Sequence, residues 1–265
     1  MNWNKQQLLA ILPQRMRSAE FSDVREIRLR LGQPPRLVTG TGFRLLDGSL
    51  GEGELQFPIN AASRYSPWNA ESLKEGYLTA SGGHRIGVCG EGGEHGIRNI
   101  TSVCIRIARD VSGIAAGMPT DGNLLLLGPP GSGKTTLLRD LVRLTGRTAS
   151  VAVVDERGEL FPEGFRRGGN TDVLTGVSKP RGIDMVLRSM GPAVIAMDEV
   201  TGRSDCEALL RAGWCGVRLL ATAHAADLRD LYERPIYAPL VRTGLFHRVA
   251  VLDREQNWHL EEVEG

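Results

Sequence analysis

The chain is short of one-sided charge: 32 Lys and Arg stand against 31 Asp and Glu, for a net charge of +1 over 265 residues. So even a balance raises no broad basic field, and no nucleic-acid partner is expected. Lysine itself is scarce, at positions 5, 74, 134 and 179 alone, so the cations are mostly arginines. Arginine forks suit carboxylate and phosphate contacts between subunits as well as a solvated surface. The four cysteines, Cys89, Cys104, Cys206 and Cys215, are scattered without a C-x-x-C pair. This excludes a disulfide frame or a zinc knuckle and suits a reducing, cytoplasmic location. No apolar run approaches a membrane span, and Met1-Asn2-Trp3-Asn4-Lys5 opens no signal peptide. Direct membrane insertion is therefore not expected, and a peripheral place at a membrane would require partner proteins. Repeats and low-complexity segments are also absent.

One contiguous stretch stands out. An apolar run at residues 124–127 leads into Gly128-Pro129-Pro130-Gly131-Ser132-Gly133-Lys134-Thr135-Thr136, then into a helical stripe of Leu137, Leu138, Leu141, Val142 and Leu144. The pattern G-x-x-x-x-G-K-[ST] between a strand and a helix is a phosphate-binding loop, or Walker A motif. Its glycines let successive N–H groups turn inward, and the helix adds its positive end. ATP and Mg²⁺ are the expected guests: Lys134 would reach the β- and γ-phosphates, and Thr135 would complete a Mg²⁺ shell.

Downstream, residues 150–154 read as a buried parallel strand ending in Asp155-Glu156, and residues 183–190 as a helix. Residues 193–197 form another buried strand, ending in Asp198-Glu199. An acid pair of this kind is a Walker B motif: Asp198 holds the Mg²⁺ water shell and Glu199 polarises the attacking water. Ser204 and Glu207 have capping-box spacing for a helix over 205–212. A strand over 217–222 then carries Thr222-Ala223-His224 to the same edge, where a polar group can sense the γ-phosphate. The remaining residues promise a helix, a strand at 248–252, a turn at 253–257 and a returning strand at 258–260, with no chemistry in them.

Residues 1–118 read as a smaller α+β domain with its linker, and 119–265 as the nucleotide-binding domain. In the first, a helix over 5–16 breaks at Pro13, and strands follow at 26–31, 36–39 and 43–46. Residues 47–65 carry turn signals only. Ser66-Pro67 starts a helix to Lys74, and strands at 85–89 and 102–108 flank a glycine-rich loop at 90–96. Gly82-Gly83-His84-Arg85-Ile86-Gly87 and Ile105-Arg106-Ile107-Ala108-Arg109 set cations beside glycines, so Arg85, Arg106 and Arg109 either touch phosphates or form ordinary ion pairs.

In order, the phosphate loop, the acidic box at Glu156, the second box at Asp198-Glu199 and the histidine box at His224 resemble the secretion ATPases of type II and type IV systems. From about Val24 onward, the Gly82–Gly87 and Ile105–Arg109 motifs, Val154-Asp155-Glu156-Arg157-Gly158-Glu159 and residues 185–199 resemble the stage III sporulation protein AA family. The resemblance implies a cytoplasmic ATPase of the mother cell that energises or assembles a channel of membrane proteins leading to the engulfed forespore. It also implies Lys134 and Thr135 at phosphate and Mg²⁺, with Glu156, Asp198, Glu199 and His224 at the reacting centre. The Asp-Glu pair departs from the Gly-Glu usual in secretion ATPases, and Val200-Thr201-Gly202-Arg203 replaces their Arg-Asp. Either Glu156 or Glu199 can then be the base; Glu199 is favoured because Asp198 can serve the metal.

The expected fold is α/β, a RecA-like P-loop core with a mainly parallel sheet and a smaller N-terminal α+β domain. The expected function is an ATP-hydrolysing motor that binds ATP between its domains in a homo-hexamer. Arg106, Arg109, Arg157 and Arg203 are candidates to act in trans. A nucleotide-held switch, a nucleic-acid-stimulated ATPase and a small-molecule kinase are the rivals. No Asn-Lys-x-Asp guanine signature, lid or acceptor pocket is visible.

Overall fold

The computed structural model describes residues 4–63, 76–93 and 96–263. The chain divides into two compact units, Met1–Asp110 with Pro162–Phe165, and Val111–Phe161 with Arg166–Gly265. The helix expected over 66–74 lies outside the described residues.

In the first unit, α1 (Asn4–Ala10) stops ahead of Pro13, and a 3-10 turn, Gln14–Met16, follows it. Strands β1 (Val24–Arg30), β2 (Arg36–Thr39), β3 (Phe43–Leu45), β4 (Tyr77–Thr79), β5 (Arg85–Gly93) and β6 (Gly96–Arg106) form an antiparallel sheet ordered β3-β2-β1-β6-β5-β4. Alternation sends Ile27 and Leu29 of β1 into the core with Ile86, Val103 and Ile105.

Two readings of this unit need correction. Residues 47–65 are not turn alone: helix α2 spans Glu52–Ser63. Gly51, Gly53 and Pro58 disguise it, yet Leu55, Pro58, Ile59 and Ala62 lie at helical spacing and are buried, and that packing outweighs poor propensity. The glycine-rich stretch at 90–96 is not a simple loop either, because β5 runs on to Gly93 and pairs it with Gly96 of β6. The ladder slips between Cys89 and Glu91, and a Cβ on the intervening Gly90 would lie 2.4 Å from the Arg98 carbonyl oxygen. Only glycine allows that approach.

The second unit contains β7 (Leu124–Leu127), α3 (Lys134–Thr145), β8 (Val151–Asp155), β9 (Thr171–Thr175), α4 (Lys179–Ser189), β10 (Val194–Val200), α5 (Arg203–Trp214), β11 (Arg218–Ala223), α6 (Leu228–Glu233), α7 (Ala238–Arg242), β12 (Arg248–Leu252) and β13 (Trp258–Glu262). Its seven strands are ordered β13-β12-β7-β11-β10-β8-β9. All neighbours are parallel except β12 and β13. All four leucines of β7 are buried, as a strand covered on both faces requires.

The capping box expected at Ser204 does not form. Helix α5 already begins at Arg203 with Gly202 as its cap, so Ser204 falls inside the first turn. The Asp205 carboxylate instead accepts the Thr201 N–H at 3.0 Å and its hydroxyl at 3.2 Å, and Glu207 faces Arg203 at 3.6 Å. At α6 a side-chain cap is present, with the Asp230 N–H donating to Asp227 Oδ1 at 2.7 Å. Asp227→Ala is expected to cost about 1 kcal/mol, read as a lower midpoint in urea unfolding.

Candidate functional site

Strand order decides which loops meet. With β7, β11, β10 and β8 adjacent and parallel, the segments leaving their carboxyl ends share one edge of the sheet. That edge is where open α/β sheets receive ligands. It gathers the phosphate loop, Thr222 to His224, Asp198-Glu199 and Asp155-Glu156.

The loop bends at Gly128, where a Cβ would lie 2.7 Å from both the Leu252 carbonyl oxygen and Ser132 Oγ. Gly131 and Gly133 have φ of 81° and 93°, and Gly133 caps α3 in the left-handed region. Ser132 Oγ is buried and has no hydrogen-bond partner among the described residues. Lys134 is 6% exposed, and its ammonium donates to the Gly128 and Pro129 carbonyls at 2.7 and 2.9 Å. Burial pulls its pKa below the usual lysine range, against the opposing pull of Asp198 and Glu199.

The same ammonium lies 3.2 Å from His224 Nδ1, and His224 Nε2 lies 3.1 Å from Glu199 Oε1. An ammonium only donates, so Nδ1 accepts and the ring proton sits on Nε2, directed at Glu199. Arg157 reaches the other Glu199 oxygen at 3.1 Å. Asp198 takes the Thr135 hydroxyl on Oδ2 at 2.7 Å and the Thr222 hydroxyl on Oδ1 at 2.6 Å. Lys134, His224 and Glu199 thus form one run of side-chain contacts and Thr135, Asp198 and Thr222 a second, and the Glu199 N–H, donating to Thr222 Oγ1 at 2.8 Å, joins the two into one set.

Glu156 stands apart from that set, its Oε2 lying 3.4 Å from Lys179 Nζ, which also faces Asp205 at 3.7 Å. Neighbouring Asp155 is buried, which pushes its pKa up, while the Phe161, Leu160 and Glu159 N–H groups it accepts pull it back. Glu156, Lys179, Asp198 and Glu199 line a cavity of about 20 Å³, room for roughly one water. A wider cleft of about 940 Å³ opens beside Gly128 and His224, with Leu252, Asp253 and Arg254 in its wall.

Sequence reasoning assigned no chemistry to that tail, and it missed Lys179 and Asp205. Topology carries the missing signal, because β12 pairs with β7 and so brings Leu252 against the loop. Among the arginines proposed to act in trans, Arg157 touches Glu199 within its own chain. Arg106 lies 3.5 Å from Glu26, Arg109 donates to the Val24 carbonyl at 2.8 Å, and Arg203 faces Glu207.

A family model described as sporulation stage III, protein AA matches residues 3–263. The stage III sporulation protein AA of Bacillus subtilis (strain 168) is 35% identical over 280 residues, covering 94% of this chain and 91% of the relative. Among solved structures, the pilus retraction motor PilT with bound ADP aligns with a TM-score of 0.65 at 17% identity, over 86% of this chain and 74% of PilT. The Legionella pneumophila ATPase DotB aligns with a TM-score of 0.60 at 16% identity, over 90% of this chain and 75% of DotB. At such identities the two structures speak to fold alone, and that fold is a RecA-like P-loop core preceded by a smaller α+β unit.

Proposed function

The chain belongs to the sporulation stage III, protein AA family, and from that premise we propose that it is an ATP-hydrolysing motor. One observation carries the reading: the hydroxyl that follows the phosphate-loop lysine already meets the strand-end carboxylate, Thr135 Oγ1 to Asp198 Oδ2 at 2.7 Å. The residues present fit a nucleotide with its metal. Gly131 has open space where a Cβ would stand, and Ser132 keeps an unused buried hydroxyl. A hydroxyl beside a carboxylate is a donor set for Mg²⁺, so Thr135 and Asp198 would hold that ion. When bound, it supplies charge neutralisation for the phosphate oxygens.

The chain's own groups do the remainder. Lys134 turns from the Gly128 and Pro129 carbonyls to the phosphates, which releases His224 Nδ1. Glu199, oriented through His224 Nε2, takes a proton from the attacking water. Glu156, tied to Lys179, shapes the cavity next to that water. We assign residues 1–118 to the accessory domain with its linker and 119–265 to the ATPase domain. The motor works as a homo-hexamer in the mother-cell cytoplasm, held peripherally by membrane proteins of a sporulation channel. Among the described residues no helix is long and apolar enough to cross a membrane.

The test is phosphate release by the purified chain with ATP and Mg²⁺, alongside its mass in solution with and without nucleotide. Steady turnover that stops on chelation, with a rise in mass to a hexamer, is the expected result. Absence of turnover in every assembly state would remove the motor reading. One observation favours a nucleotide-held switch instead: both Glu199 oxygens are already paired, to His224 and Arg157. Arg157→Ala separates the two, since it should leave a motor's turnover unchanged or faster.

A further inference from the structure

Strand β10 does something a regular strand cannot. Consecutive residues of a strand project to opposite faces, which would send Asp198 and Glu199 away from one another. Here Met197 pairs with Ala221 and Val200 with Ala223, so two residues of β10 stand opposite Thr222 alone. This is a bulge, and Glu199 enters it with φ of 55°, a region that side-chain-bearing residues seldom occupy.

We propose that Thr222 is the positioning residue that closes this bulge and turns both acids onto one site; the claim rests on reading Asp198 and Glu199 as the acid pair of an ATPase. The hydroxyl oxygen accepts the Glu199 N–H at 2.8 Å, and its single proton goes to Asp198 Oδ1 at 2.6 Å. One group therefore fixes the backbone of one acid and the carboxylate of the other. Thr222 is 1% exposed, so water cannot readily replace it. Its proton is committed to Asp198, so it has none left to donate to a phosphate.

The arrangement explains how an Asp-Glu pair can divide its labour. Asp198, gripped on one oxygen by Thr222, offers the other to Thr135. Glu199, set in its left-handed backbone, reaches His224 with its carboxylate. Serine retains a donor and an acceptor at position 222; valine retains the shape and neither function.

The experiment compares Thr222→Val and Thr222→Ser by MgATP kinetics and by crystal structure. Thr222→Val should lose about 100-fold in kcat with KM within about threefold, while Thr222→Ser stays within about fivefold of the parent in both. In crystals of Thr222→Val the Glu199 φ should become negative and its carboxylate should leave His224. Should that variant not fold, Thr222→Ala takes its place with the same expectations. Parent-like turnover in the valine variant, equal loss in valine and serine variants, or an unchanged bulge without the hydroxyl would each overturn the proposal. A parent chain inert toward ATP would instead remove the motor reading, and the crystal comparison would still decide what Thr222 positions.

Discussion

Glu199→Gln is expected to lower ATP turnover by about 10²- to 10⁴-fold while leaving MgATP affinity nearly unchanged. Glutamine keeps the shape of the side chain, and its amide oxygen can still accept from His224 Nε2, which lies 3.1 Å from Glu199 Oε1 in the parent. What it cannot do is take up a proton. A 100-fold loss corresponds to about 2.7 kcal/mol of transition-state stabilisation, well above the usual worth of a single neutral hydrogen bond. Glu156→Gln should cost much less, because the Glu156 carboxylate faces Lys179 and its role is to shape the cavity. Phosphate-release rates of the two variants, each with a separate binding titration, check the assignment. A Glu199→Gln protein as fast as its parent would pass the base role to Glu156.

Lys134→Ala should be damaged in binding as well as in turnover. Its ammonium is the one cation found within the phosphate loop, and losing a preorganised charged donor there is expected to cost about 10²- to 10³-fold in kcat. The same side chain gives the parent a pH signature. Phosphate binds the charged form, whereas burial holds the lysine pKa below its ordinary range. As pH rises through that lowered value the free protein loses the proton and must regain it to bind, so nucleotide affinity should fall at lower alkalinity than for an exposed lysine. Calorimetric titration with MgADP from neutral to alkaline pH should show this decline in the parent and not in Lys134→Ala. Wild-type turnover in the alanine variant would discard the phosphate-loop assignment.

How much of this was legible in the sequence depended on whether the signal was local. The phosphate loop and the acids ending β10 could be found because the residues are contiguous and their strands are buried apolar runs. The α/β core with its mainly parallel sheet followed from buried strands alternating with helices, and its RecA-like character from the phosphate loop and the resemblance to secretion ATPases. Helix α2 was hidden because Gly51, Gly53 and Pro58 signal turns more strongly than Leu55, Ile59 and Ala62 signal a helix. The glycine-rich strand end at 90–93 and the missing cap at Ser204 failed for a related reason: cross-strand pairing in one and an earlier helix start in the other overrode local preference. Lys179 and Asp205 are separated by 26 positions (205 − 179) yet meet at 3.7 Å, a contact that spacing alone cannot reveal. The bulge at Asp198 and Glu199 exists only relative to Thr222 on the next strand.

The placement of β12 has a consequence for the order in which the molecule can be made. The phosphate-loop strand β7 is flanked by β11 and β12, and Gly128 is shaped against the carbonyl of Leu252. A nascent chain emerging from the ribosome thus carries the loop sequence long before it carries the wall that shapes it. The loop therefore takes its final shape against a strand that lies 124 positions (252 − 128) further along the chain.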